Sequence, residues 1–143
     1  MLRALIDANL FVSYLLARRG GGEVEFVVEA GILGQYTILL PEELLEELSV
    51  VIRRKAYLAS RISPEVWQRF ADILRGCSEL LPPIPEPIPR VVRDPKDDYL
   101  LAHAVVARAD ALVTGDRDLL ALSGVAPCRI LSPAQFAEVL RSP

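Results

Sequence analysis

The sequence predicts an α/β protein built on a parallel sheet with helices on both faces. Three observations carry that expectation. Short apolar runs of strand length alternate with longer segments whose apolar residues recur at helical spacing. Such alternation is what a wound parallel sheet requires. Finally, six of the eight aspartates fall between Asp94 and Asp118, and several acids directly follow apolar runs. The C-terminal ends of strands are where open parallel sheets place their sites.

Leu2 to Ile6 reads as the first buried strand, because it is apolar without alternation apart from Arg3. It ends on Asp7-Ala8-Asn9, which delivers a carboxylate to the strand end. Asn9 is expected to cap the helix through Leu10, Phe11, Tyr14 and Leu15. Gly20-Gly21-Gly22 breaks that helix. The glycines are not a P-loop, since no Gly-Lys-Ser/Thr follows at the required spacing. Glu23 to about Leu33 is a short helix with Val24, Val27 and Val28 inward, and Tyr36 to Leu40 is the second strand.

Pro41 is expected at the first position of the next helix, with Glu42 and Glu43 in its first turn. Leu44, Leu45, Leu48, Val51 and Ile52 form its apolar stripe. At about 100° per residue Glu46 points away from the stripe, whereas Glu47 lies at its edge. A carboxylate at a core margin is costly unless it is paired, hydrogen-bonded or bound to a cation. Arg53-Arg54-Lys55 suits the helix end, and Arg61 follows. Ser63-Pro64-Glu65 opens another helix with Val66, Trp67, Phe70, Ile73 and Leu74 on one face, ending near Gly76. Its helical spacing makes Trp67 a core residue rather than a base-stacking platform.

Five prolines between Pro82 and Pro89 form a stiff, extended connector. It is too short for a domain boundary, so residues 1–143 read as one domain. Asp97 and Asp98 precede Leu100, Leu101, Ala104 and Val105 and mark a helix N-terminus. Ala111-Leu112-Val113 is a buried strand, Gly115-Asp116 the turn after it, and Asp116 to about Leu122 a short helix. Arg129-Ile130-Leu131 is the last strand. Ser132-Pro133-Ala134-Gln135 is a capping box opening a helix through Phe136, Val139 and Leu140.

Composition narrows the function. With 143 residues, 52% hydrophobic and 24% charged, the chain supports a real core and is not disordered. The formal charge of −3 gives a whole-molecule field that does not attract nucleic acid. Binding RNA or DNA therefore requires a local basic patch or bound cations. Fourteen arginines against two lysines favour bidentate phosphate contacts where such a patch exists. Cys77 and Cys128 lack metal-type spacing and read as reduced thiols of a cytoplasmic protein. The apolar N-terminus is interrupted by Asp7 and Asn9, with no small-x-small cleavage site after it, and is not expected to act as a signal peptide. No run reaches the length of a membrane span.

The candidate chemistry lies in Asp7, Glu47, Asp97, Asp116 and Asp118. They come from separate elements that the topology can bring to one end of one sheet. Carboxylates so gathered repel unless protons or cations intervene. A hard divalent cation, Mg²⁺ or Mn²⁺, takes oxygen ligands, keeps waters and needs only a few carboxylates. Such an ion activates water and stabilises the leaving oxygen of a phosphodiester. No rival catalytic set is present. His103, the only histidine, sits between alanines and is expected at the surface or boundary, without a nucleophile elbow to serve.

Four ordered pieces resemble the PIN-domain ribonucleases, specifically the toxins of toxin–antitoxin pairs. They are Leu5-Ile6-Asp7-Ala8-Asn9, Glu47-Leu48, Arg93-Asp94-Pro95-Lys96-Asp97-Asp98, and Leu112-Val113-Thr114-Gly115-Asp116-Arg117-Asp118-Leu119-Leu120. The resemblance implies a three-layer α/β/α fold and a Mg²⁺- or Mn²⁺-dependent endoribonuclease. It matches Asp7, Glu47, Asp97 and Asp116 to the acidic quartet, and Asp118 to a frequent additional acid. Asn9 and Thr114 match polar positions that orient the acids or a metal-bound water. The third acid is Asp97 or Asp98, with Asp97 fitting the spacing to Ala102 and Ala104 better. Pro41 stands where the family often has Ser. The resemblance also turns Arg53, Arg54, Lys55 and Arg61, and likewise Arg18 and Arg19, into candidates for gripping RNA phosphates. As partners it implies a second copy of the chain and an antitoxin that occludes the acidic cleft.

Two other classes place acids at a sheet end. A receiver-like module needs a lysine after a late strand, and neither Lys55 nor Lys96 ends one. A haloacid-dehalogenase-type phosphatase wants Asp-x-Asp after the first strand, where this chain has Asp7-Ala8-Asn9. A catalytically silent PIN-like binding module is the remaining alternative, and the intact acid set speaks against it.

Overall fold

The computed structural model describes residues 1–16, 22–85, 95–122, 124–125 and 128–142, the side chains of 95–97 and 124–125 excepted. In chain order they form β1 (Arg3–Ile6), α1 (Ala8–Leu16), α2 (Glu23–Ile32), β2 (Thr37–Pro41), α3 (Glu42–Arg54), α4 (Ala56–Ala59) and α5 (Pro64–Cys77). Then follow β3 (Glu79–Leu81), α6 (Pro95–Val106), β4 (Ala111–Val113), α7 (Arg117–Leu120), β5 (Gly124–Val125), β6 (Cys128–Leu131) and α8 (Pro133–Arg141). The architecture is the expected three-layer α/β/α arrangement.

The strands form one sheet in the order β3-β2-β1-β4-β6-β5. Every pairing is parallel except that of β5 with β6. β1 lies at the centre, with β2 on one side and β4 on the other. Leu5 is in register with Leu39 and with Leu112, and all three are buried. Burial on both faces explains why these strands are apolar throughout, and each such leucine contributes about 2 kcal/mol. The order of strands reverses between β1 and β4. Their C-terminal ends therefore form the crevice where such sheets bind ligands.

Helix signals in the sequence translate directly at several ends. Ser63 Oγ accepts the Val66 N–H at 3.1 Å at the start of α5. Ser132 and Gln135 make the reciprocal capping box that opens α8. Gly34, with φ of +82°, follows the end of α2 in a left-handed conformation that glycine adopts without strain. Trp67, Phe70, Ala71 and Leu74 are the buried face of α5.

Other expectations need correction. Pro41 is the last residue of β2, and α3 begins one residue later. The proline tolerates this because β2 can spare its missing N–H at the strand end. Asn9 does not cap α1. The helix already starts at Ala8, and Asp7 accepts its early N–H groups. Val66 and Ile73 are exposed, flanking a buried face that Ala71 completes. His103 is buried, not superficial, at 2% exposure. β3, α4 and β5 add to the expected elements. The triglycine break at Gly20 and Gly21, and the connector from residue 86 to Pro89, lie outside the described residues.

Cys77 and Cys128 are unlinked. No helix among the described residues is long and apolar enough to cross a membrane.

Candidate active site

The site begins with where two central strands stop. Asp7 follows β1 and Thr114 follows β4. The ladder carries on one step further through Asp7 N–H to Val113 O at 2.9 Å, and Thr114 N–H to Leu131 O at 3.0 Å. These bonds hold Asp7 and Thr114 side by side at the sheet's C-terminal edge. Thr114 Oγ1 donates to Asp7 Oδ2 at 2.7 Å and accepts the Asp116 N–H at 3.0 Å. Asp7 Oδ1 accepts the Asn9 N–H at 3.1 Å. Asp7 is 6% exposed and Thr114 wholly buried, so this chain of bonds is worth more than a surface one.

Asp116 caps α7. Its Oδ1 accepts the Asp118 N–H at 2.8 Å and the Leu119 N–H at 3.4 Å. One oxygen of this carboxylate thus serves the helix. Asp7, Asn9, Glu47, Asp116 and Tyr99 line a single cleft of about 390 Å³, together with Arg54 and Lys55. Three carboxylates from β1, α3 and the end of β4 therefore meet one space, with two basic side chains of α3's end beside them.

The remaining expected residues distribute as follows. Asp118 is exposed on α7 and outside the cleft lining. Thr114 lies beneath the cleft, holding Asp7. Arg53 and Arg61 are exposed and outside the lining. Asp98 turns into the protein at 3% exposure. The Asp97 side chain, Arg18 and Arg19 lie outside the described residues.

A metal suits the donor chemistry. All three cleft carboxylates offer hard oxygen donors, and Mg²⁺ is commonly held by one or two carboxylates plus waters. Among the described residues no three acidic, histidine or cysteine side chains converge tightly enough to cage an ion alone.

A larger cavity of about 500 Å³ lies between β3 and the end of α6. It is walled mainly by Leu81, prolines and Val106, and its one carboxylate, Glu79, is already paired with Arg3 at 2.6 Å. It lacks convergent acids, so the smaller cleft is the candidate site.

Sequence reasoning missed Tyr99, which lines this cleft, and its neighbours Glu43 on α3 and His103, which lines the larger cavity. Burial, then a hydrogen bond to Glu43 and the charges of Glu43 and Glu47, hold the Tyr99 phenol above its ordinary range. Burial lowers the His103 pKa against an opposing pull from Glu43. The signal was present as spacing, since Glu43 precedes Glu47 by four residues and Tyr99 precedes His103 by four.

A PIN-domain family model matches residues 3–118. No curated protein sequence matches the chain. Among solved structures the chain is similar to one from the crystal structure of VapBC2 from Rickettsia felis bound to a DNA fragment from their promoter. The likeness has a TM-score of 0.60 at 14% identity and covers 92% of this chain and 98% of that one. At that identity it is a likeness of fold.

Proposed function

This chain belongs to the PIN-domain family, and from that premise we propose that its cleft hydrolyses RNA phosphodiester bonds with a divalent cation. The carrying observation is that Asp7, Glu47 and Asp116 reach one cleft from three separate elements, with Arg54 and Lys55 lining it too. In this reading Asp7, Glu47 and Asp116, with Asp97, hold Mg²⁺ or Mn²⁺, and Asp118 is an auxiliary acid. When bound, the ion supplies an activated water and stabilises the leaving oxygen.

The chain's own residues do the rest. Thr114 fixes the Asp7 carboxylate so that one oxygen is committed to the hydroxyl. Asn9, exposed and in the cleft lining, orients solvent or an acid. Arg54 and Lys55 neutralise phosphates beside the acids, and Arg53 and Arg61 extend that basic side. This answers the electrostatic problem of an acidic protein that meets a polyanion.

We further assign the chain as the toxin of a toxin–antitoxin pair acting in the cytoplasm. The similar fold in a VapBC2 complex supports that reading. An antitoxin segment would cover the cleft by placing an arginine among the carboxylates, and the chain would self-associate.

The test is a cleavage assay on single-stranded RNA. Cleavage is expected with Mg²⁺ or Mn²⁺, to stop with EDTA, and to return when excess metal is restored. Robust cleavage in EDTA would overturn the mechanism.

A further inference from the structure

The cleft is more apolar than its acids suggest. Besides Asp7, Glu47 and Asp116 it is lined by Ala8, Val12, Leu44, Leu48, Val51 and Leu100. A cation, its waters and a phosphate use oxygen and charge, and such a wall does nothing for them. Tyr99 lies in the same lining and is the one aromatic side chain among the described residues there.

Tyr99 is held on two sides. Its hydroxyl is closed off from solvent and hydrogen-bonded to Glu43. Its ring meets that of His103 edge-on, with centroids 4.5 Å apart and planes at 74°, and His103 is itself buried. Yet Tyr99 as a whole is only half-buried. With the oxygen closed off, what Tyr99 shows to the cleft is not its polar end. A ring so anchored loses little freedom when something packs on it.

We infer that Tyr99 and the apolar wall beside it form a subsite for one unpaired nucleobase of the RNA. The inference rests on reading the cleft as the RNA-cleaving site, and it states which RNA fits. Every base has a π-face that stacks on an aromatic ring, so the subsite tolerates any base. Bases inside a duplex are already stacked and paired, whereas unpaired bases splay out and reach such a platform. The contact also supplies affinity that owes nothing to charge, which matters in a protein of formal charge −3.

Tyr99→Leu removes the ring and stays apolar, whereas Tyr99→Phe keeps the ring and removes only the hydroxyl. Both are titrated in EDTA with a short single-stranded RNA carrying 2-aminopurine, whose fluorescence falls when it stacks. Wild type and Tyr99→Phe are expected to quench the probe, and Tyr99→Leu to bind about tenfold more weakly. That loss is expected at every salt concentration with the salt slope unchanged, because no phosphate contact is removed. An abasic nucleotide at the probe position should weaken binding to wild type by a similar factor and to Tyr99→Leu hardly at all, since both changes delete one contact. The probe annealed to its complement should not be quenched further by the protein. The inference falls if wild type leaves the single strand unquenched, or if Tyr99→Leu binds and quenches as wild type does. It also falls if the abasic change costs wild type nothing or costs both proteins equally. Cleavage with Mg²⁺, assayed on the same preparations, is a separate readout. Quenching without cleavage overturns the nuclease reading and leaves the base subsite; cleavage without quenching does the reverse.

Discussion

Asp116→Asn should abolish RNA cleavage and leave the metal-free protein at least as stable as wild type. The two halves have different causes. Asp116 shares its cleft with Asp7 and Glu47, so removing its charge withdraws a ligand from any cation held there. Loss of groups that only support a ligand already costs 10- to 100-fold, so loss of a ligand should exceed about a hundredfold. The stability half follows from the cap. Asp116 Oδ1 accepts the Asp118 and Leu119 N–H groups at the start of α7. Asparagine keeps that oxygen and caps nearly as well. What disappears is one of the three negative charges that share the cleft with Arg54 and Lys55. Relief of up to about 1 kcal/mol would raise the melting temperature by roughly 1–4 °C. Saturating Mg²⁺ should stabilise wild type through binding to the folded state, and the variant much less. Melting curves in EDTA and in excess Mg²⁺ test this. If the variant melts lower in EDTA and gains equally from Mg²⁺, Asp116 is only a turn residue.

Thr114→Val should cost both stability and activity, although it changes almost no volume. The Thr114 hydroxyl donates to Asp7 Oδ2 and accepts the Asp116 N–H, and Thr114 is fully buried. Valine strands a carboxylate oxygen and a backbone N–H together. Each stranded group costs about 1–3 kcal/mol. The melting temperature should fall by roughly 5–15 °C, and cleavage should drop because Asp7 loses the bond that sets its rotamer. Thr114→Ser keeps the hydroxyl and should recover most of both losses. A valine variant that keeps wild-type stability and activity while the serine variant loses both would mean that the methyl group's packing, not the hydrogen bonds, is what matters.

The contrast between these two positions shows what the sequence conveys. Asp116 was legible because it follows the apolar run Ala111-Leu112-Val113, and a charge after a buried strand must lie at the sheet end. Thr114 was legible only through resemblance, since a threonine after a strand is ordinary and its partner is 107 residues away. The central strands and the capped helices α5 and α8 were readable because burial on both faces, or a cap followed by helical spacing, leaves a local pattern. β3 and β5 left none. β3 is an edge strand of three residues with Glu79 and Leu80 exposed, and β5 has only two residues. His103 was misplaced because Ala102 and Ala104 on either side give no hint of which face is inward. Its burial depends on Tyr99 and on what packs over α6. Val66 and Ile73 misled for the opposite reason: they are apolar and share the helix period, but the buried face of α5 is centred one step further round.

The cleft's identity as a metal centre is tested most directly by diffraction from crystals soaked in Mn²⁺, with data collected near the manganese absorption edge. An anomalous peak is expected in the cleft, about 2.1–2.3 Å from carboxylate oxygens drawn from Asp7, Glu47 and Asp116 and absent in Asp116→Asn crystals. No peak there at saturating Mn²⁺, or a peak only at some other surface carboxylate, would contradict it.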